Sequence, residues 1–148
     1  MSSQISEYSL PQRVYVENEW YDGPRAGVTD LNGKPHRFLS QYDEQEDEYM
    51  DTFLVWPIDD SELALEQEQW EIFVSWNEQY EAGRVGTETH PGHPGTSKRW
   101  DEINSLLANR RESPHQGARR AKAQIVHLED QQRYAPSGPA YQLSWALL

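Results

Sequence analysis

The sequence predicts a single α+β domain built on an antiparallel sheet, open or closed into a barrel, with two helices inserted before the C-terminal strands. Three observations carry this. Residues 13–20 and 141–147 alternate with period two, as half-buried strands do. Asn32-Gly33 lies between two further alternating runs. From Asp59 to Gly83, and again from Ser97 to about Arg111, apolar residues recur at helical spacing.

Residues 1–12 are polar and irregular up to Pro11 and read as a flexible arm, leaving 13–148 as the domain. In "RVYVENEW" the alternation sets Val14, Val16, Asn18 and Trp20 on one face and Arg13, Tyr15, Glu17 and Glu19 on the other. Gly23 and Pro24 end that strand. Asn32-Gly33 suits a type I′ hairpin, whose two central residues both need positive φ. Pro35 has no N–H for the ladder, which places its strand at an edge or makes it start on a non-bonded position. "TFLVWPI" is more apolar and therefore more central.

Asp59 is a helix cap, with Glu62 at capping-box spacing. Leu65, Ile72, Phe73, Trp76 and Tyr80 form the apolar stripe, flanked by Leu63 and Trp70; Glu62, Glu66, Glu68, Glu71 and Glu78 fill the remaining arc. Gly83 stops the helix. After the loop "GTETHPGHPGTS", Thr96 or Ser97 caps a second helix that buries Trp100, Ile103, Leu106 and Leu107. "RRAKAQIVHLE" and "AYQLSWALL" complete the sheet, the latter with Tyr141, Leu143, Trp145 and Leu147 on one face.

Hydrophobic residues make up 36% of the 148 and mean hydropathy is -0.94, so burial must rest on six Trp, eight Tyr and three Phe. Each ring can remove about 150–250 Å² from water. With no cysteine there are no disulfides, thiolate metal sites or cysteine nucleophiles. The first residues lack a signal peptide's basic and apolar regions, and no apolar run approaches the ~18 residues of a membrane span. A cytoplasmic protein with no membrane partner is the expectation.

Charge is distributed unevenly. Residues 1–90 hold 20 acids against 5 Lys or Arg, net -15, whereas 91–148 hold 5 against 8, net +3. Such an acidic face repels phosphates, which argues against nucleic acid binding there. The acids are densest in "QYDEQEDEYMDTF", with Asp43, Glu44, Glu46, Asp47, Glu48 and Asp51. An EF-hand loop counted from Asp43 fails, because Glu48 stands at its glycine position and Leu54 at its bidentate carboxylate. Three readings stay open for this run: a solvated connection that discourages edge pairing, a docking surface for a basic partner, or a cation site completed by other segments.

Other chemistry is sparse. His90 and His93 flank Pro91-Gly92 in a loop, without the helix that aligns H-E-x-x-H ligands; His36, His115 and His127 are scattered. No metal or cofactor is therefore assigned. No G-x-S-x-G elbow, P-loop or dinucleotide fingerprint occurs, and no catalytic residue is named. Arg110, Arg111, Arg119, Arg120 and Lys122 read as neutralising carboxylates within the fold.

Two functional hypotheses follow. The first is a non-enzymatic interaction protein, comparable to an immunity protein, an inhibitor or a charge mimic, that meets a basic partner through Asp43 to Asp51. The second is a ligand or enzymatic pocket formed by Tyr21, Asp22 and Arg25 with Lys34 and His36, where Arg25 and His36 orient an anion.

"WYDGPRAGVTDLNGKPHRF", "DEYMDTF", "WPID" and the acidic, Trp-containing helix together resemble a family of small uncharacterised bacterial proteins. The resemblance covers roughly residues 20–80 and extends loosely to "ETHP"; Leu31 stands where the family has an aromatic residue. It implies a bacterial, cytoplasmic setting and no particular activity.

Overall fold

A computed structural model describes residues 7–112, 114 and 116–148. The described residues form, in order, β1 (Gln12–Trp20), β2 (Pro24–Leu31), β3 (Lys34–Asp43), β4 (Glu48–Pro57), α1 (Asp60–Glu81), α2 (Lys98–Glu112), β5 (Arg119–His127), β6 (Tyr134–Ala135), β7 (Gly138–Pro139) and β8 (Tyr141–Leu147), with a 3-10 turn at Thr87–Thr89. β1, β2, β3, β4, β5 and β8 close into an antiparallel barrel, and both helices lie between β4 and β5 in the chain.

The β2–β3 hairpin turns as its sequence dictates, with φ of 54° at Asn32 and 77° at Gly33. Closure removes sheet edges, so the edge position foreseen for the Pro35 strand does not arise. Pro35 is instead the second residue of β3, opposite Asp30, and its carbonyl accepts the Ile58 N–H at 3.1 Å.

Inside the barrel the C-terminal alternation delivers Tyr141, Leu143 and Trp145 to a core with Phe38 and Phe53, and Leu147 packs against it. The rings of Phe38, Phe53 and Trp145 lie 5.5–6.0 Å apart, tilted or edge-on, the arrangement aromatic quadrupoles favour. Trp145 donates its indole N–H to Thr29 Oγ1 at 3.3 Å, which satisfies both buried groups.

A second apolar cluster lies on the opposite face of the first hairpin, where Val16 and Val28 meet Trp70 and Val74 of α1. This separates Val14, in the barrel core, from Val16, which simple alternation sets on the same face. Register breaks between Val14 and Val16, and again from Glu17 to Trp20, supply the reason: each bulge shifts the pleat. Asn18 and Trp20 are consequently exposed.

The Asp59 cap forms as expected, its Oδ1 accepting the Glu62 N–H at 2.8 Å. That hydrogen bond holds the Asp59 carboxyl below its ordinary range, with Ser61 adding to it. α1 differs from the expected pattern in which face it buries. Glu62, Glu66 and Gln69 are buried with Trp70 and Val74, whereas Tyr80 is exposed. In α2, Ser97 Oγ accepts the Trp100 N–H at 3.2 Å; Ile103 and Leu107 are buried, but Leu106 is 59% exposed.

Residues 1–6 of the N-terminal arm lie outside the described residues. Ser9 donates its N–H to the Trp145 carbonyl at 2.8 Å, and β1 starts at Gln12. Among the described residues no helix is long and apolar enough to cross a membrane.

Candidate functional site

Why α1 buries carboxylates is answered by arginines from two directions. Arg37, on β3 and only 2% exposed, donates to Glu62 Oε2 at 2.6 Å and to Glu66 Oε2 at 2.6 Å. From α2, Arg110 reaches Glu62 Oε1 at 3.1 Å, and Arg111 forks onto Glu66 at 2.5 and 2.9 Å. Asn18 adds its amide to Glu66 Oε1 at 3.1 Å. Burial alone raises the Glu66 carboxyl, but Arg111 and Arg37 outweigh it and hold its pKa below the ordinary value. A carboxylate buried without such partners would cost several kcal/mol.

Above this network a cleft of about 450 Å³ opens between β1, the two helices and β6. Its walls are aromatic: Trp20 from β1, Trp70 and Phe73 from α1, Trp100 from α2, Tyr134 from β6 and His90 from the loop. Glu17, Glu19, Gln69 and Asn104 contribute polar groups, and among the described residues Arg111 is the one Lys or Arg in the lining. Arg111 also bonds Gln69 Oε1 at 2.6 Å and Asn104 Oδ1 at 3.1 Å, so its fork is occupied by the protein itself. The Glu17 side chain, 7% exposed, accepts from Arg133 at 2.9 Å and from the Tyr141 hydroxyl at 2.9 Å. Burial, then the Glu17 charge, drives the Tyr141 phenol far above its ordinary pKa.

The His90 ring lies tilted against those of Trp76 and Phe73, with centroids 4.5 and 5.8 Å away, and its Nδ1 accepts the Gly92 N–H at 2.8 Å. Burial lowers its pKa, and the neighbouring His93 adds to the shift. His93 instead places Nε2 3.1 Å from the Thr87 carbonyl. Among the described residues no group of three or more His, Cys, Asp or Glu is placed to hold a metal ion. His115 lies outside the described residues.

The acidic run forms the tip of the β3–β4 hairpin and the first part of β4. Two of its members shape the turn. Asp43 Oδ1 accepts the N–H groups of Gln45 and Glu46 at 2.9 and 3.3 Å, and Asp47 adopts a φ of 53° while accepting from the Tyr42 hydroxyl. That bond to Asp47 is the main reason the Tyr42 phenol is pushed up to about 12. Asp51 pairs with Lys122 at 3.5 Å, across exposed surface. Glu44, Glu46 and Glu48 are exposed and pair with no cation among the described residues.

The structure brings part of the second candidate pocket to this same end. The turn after β1 carries Tyr21, 67% exposed, whose ring lies 5.9 Å from that of Tyr49, and Tyr49 lies 5.1 Å from Tyr42. Arg25 covers the Tyr49 ring at 4.2 Å and is held by the carbonyls of Tyr21 and Asp22 at 2.7 and 3.2 Å. Tyr49 in turn donates to Glu19 at 3.0 Å, which joins this surface to the mouth of the cleft.

Lys34 and His36 are not brought there. The hairpin register pairs Lys34 with Leu31 and His36 with Thr29, at the opposite end from Ala26 and Leu39, and His36 Nδ1 lies 2.9 Å from the Lys34 carbonyl. Neither lines the cleft. Sequence reasoning missed the cleft itself, because Glu66, Arg111, Trp100 and Tyr134 are brought together from separate segments without any motif spacing. Of the basic residues expected to neutralise carboxylates, Arg110, Arg111 and Lys122 pair with Glu62, Glu66 and Asp51, whereas Arg119 and Arg120 form no ion pair among the described residues. The chain matches no family model, no curated protein and no solved structure.

Proposed function

We propose that the protein is a non-enzymatic interaction domain that engages a basic partner through the acidic, tyrosine-bearing end of its barrel. The observation that carries this reading is the convergence of Tyr21, Tyr42 and Tyr49 with Glu44, Glu46 and Glu48, carboxylates that pair with no cation among the described residues. Exposed rings supply desolvated anchors, and Tyr and Trp are enriched among interface hot spots. The carboxylates steer a cationic surface in and orient it. A partner's Arg or Lys then finds ring faces and carboxylates together, and the ring contact is of the kind that Arg25 already makes with Tyr49. Asp43, Asp47 and Asp51 contribute field more than contacts, since they are committed to the turn or to Lys122. An inhibitor, an immunity-type protein or a charge mimic works this way, in the bacterial, cytoplasmic setting that the sequence resemblance implies.

The test is affinity capture from a bacterial lysate at about 50 and about 500 mM salt, with the captured protein then purified and titrated. The variant with Asp43, Glu44, Glu46, Asp47, Glu48 and Asp51 amidated runs in parallel. The reading predicts a partner lost at high salt and lost with the variant. Capture insensitive to both changes contradicts it.

A further inference from the structure

The aromatic cleft has no part in that reading, and we propose that it is a separate binding site for a small organic cation: an amine, guanidine or quaternary ammonium with an apolar body. Its volume of about 450 Å³ falls within the roughly 300–1,000 Å³ of small-molecule sites. Its walls suit an apolar body, since Trp20, Phe73 and Trp100 face the same space from three different elements.

The sign of the ligand's charge follows from what the lining has left to offer. An anion would need Arg111, but that guanidinium already donates to Glu66, Gln69 and Asn104. Glu19 is exposed in the lining; its carboxylate accepts the neutral Tyr49 hydroxyl and pairs with no cation among the described residues. The wall itself shows the pairing at work. Arg133 sits 4.8 Å from the Trp20 ring and 4.5 Å from the Tyr134 ring, with Glu17 as its counter-ion at 2.9 Å. Ring faces plus a carboxylate hold one cation beside the cleft, and Trp100, Trp20 and Glu19 line the cleft itself.

The experiment follows the indole N–H cross-peaks of the full chain, assigned by single Trp→Phe variants, during titration with phenethylamine. 2-Phenylethanol and 3-phenylpropionate serve as neutral and anionic counterparts of similar shape. The proposal expects saturable shifts of Trp20 and Trp100 with the amine, binding of the alcohol at least about tenfold weaker, and no shift with the carboxylate. Glu19→Gln, at an exposed position that does not endanger folding, is expected to weaken the amine about fivefold. Trp100→Ala removes it further. Equal binding of amine and alcohol, or unmoved indole peaks, overturns the proposal. Amidating Glu44, Glu46 and Glu48 separates the two sites. Amine binding that survives this change supports the cleft whatever becomes of the basic partner, and amine binding lost with it places the cation at the barrel end and overturns the cleft assignment.

Discussion

Gly27 shows how closely single residues are fitted. A Cβ there would meet the Val16 carbonyl at 2.3 Å and the Phe38 ring at 2.8 Å, so the bulged β1 crosses β2 only where a side chain is missing. Gly27→Ala is expected to cost about 1–3 kcal/mol in urea unfolding, as overpacking does. Gly33→Ala meets nothing within 4 Å and should cost only the strain of its positive φ. His90 gives a pH prediction. Burial lowers its pKa, so the folded state binds the proton less readily than the unfolded chain. Its stabilisation is full above the unfolded value of about 6.5 and is lost as pH falls through the lowered folded value. His90→Phe, which keeps a ring against Trp76, is expected to flatten the change in unfolding midpoint between about pH 7 and 5. An unaltered slope would contradict the assignment. At this scale the sequence was read well where a residue has one conformational use, as with Asn32-Gly33. It was read poorly at Val16, since alternation carries no mark of a bulge.

Between elements, the decisive contact is charged. α2 is tied to α1 by Arg110 and Arg111, and α1 to the barrel by Arg37, with Glu62 and Glu66 shared among them. Arg37→Met leaves two buried carboxylates short of a partner and is expected to cost about 3–5 kcal/mol. Combining it with Glu62→Leu and Glu66→Leu should recover much of that loss, because apolar replacement removes the burial cost as well as the attraction. Chemical denaturation of the single and triple variants checks both. Since the Glu66 pKa is depressed, its contribution is present above the unfolded value of about 4.3 and fades as pH falls through the folded one. Helix positions, the Asp59 cap and the C-terminal strand were legible because capping and periodicity are local. The buried face of α1 was not. A hydrophobic stripe points to Trp76 and Tyr80, and only Arg37 and Arg111, 25 and 45 residues away from their glutamates in sequence, make the acidic face the one that packs.

For the whole molecule, lopsided charge and barrel closure act together. Each of the six barrel strands has a hydrogen-bonded neighbour on either side, so among them no sheet edge is left for strand addition. The acidic run was visible in the sequence, but its company was not: Tyr21 and Arg25 arrive from the preceding turn only because the β1–β2 and β3–β4 connections share one end. Rings and carboxylates are held to act jointly there, and that claim can be separated from charge alone. The most direct measurement is the affinity of the captured basic partner for a Tyr21→Ala, Tyr42→Ala variant, in which every carboxylate is retained. The account predicts a loss of at least about tenfold with little change in the salt dependence, as expected for anchors in a charged rim. Unchanged affinity, with binding set by net charge alone, would contradict it.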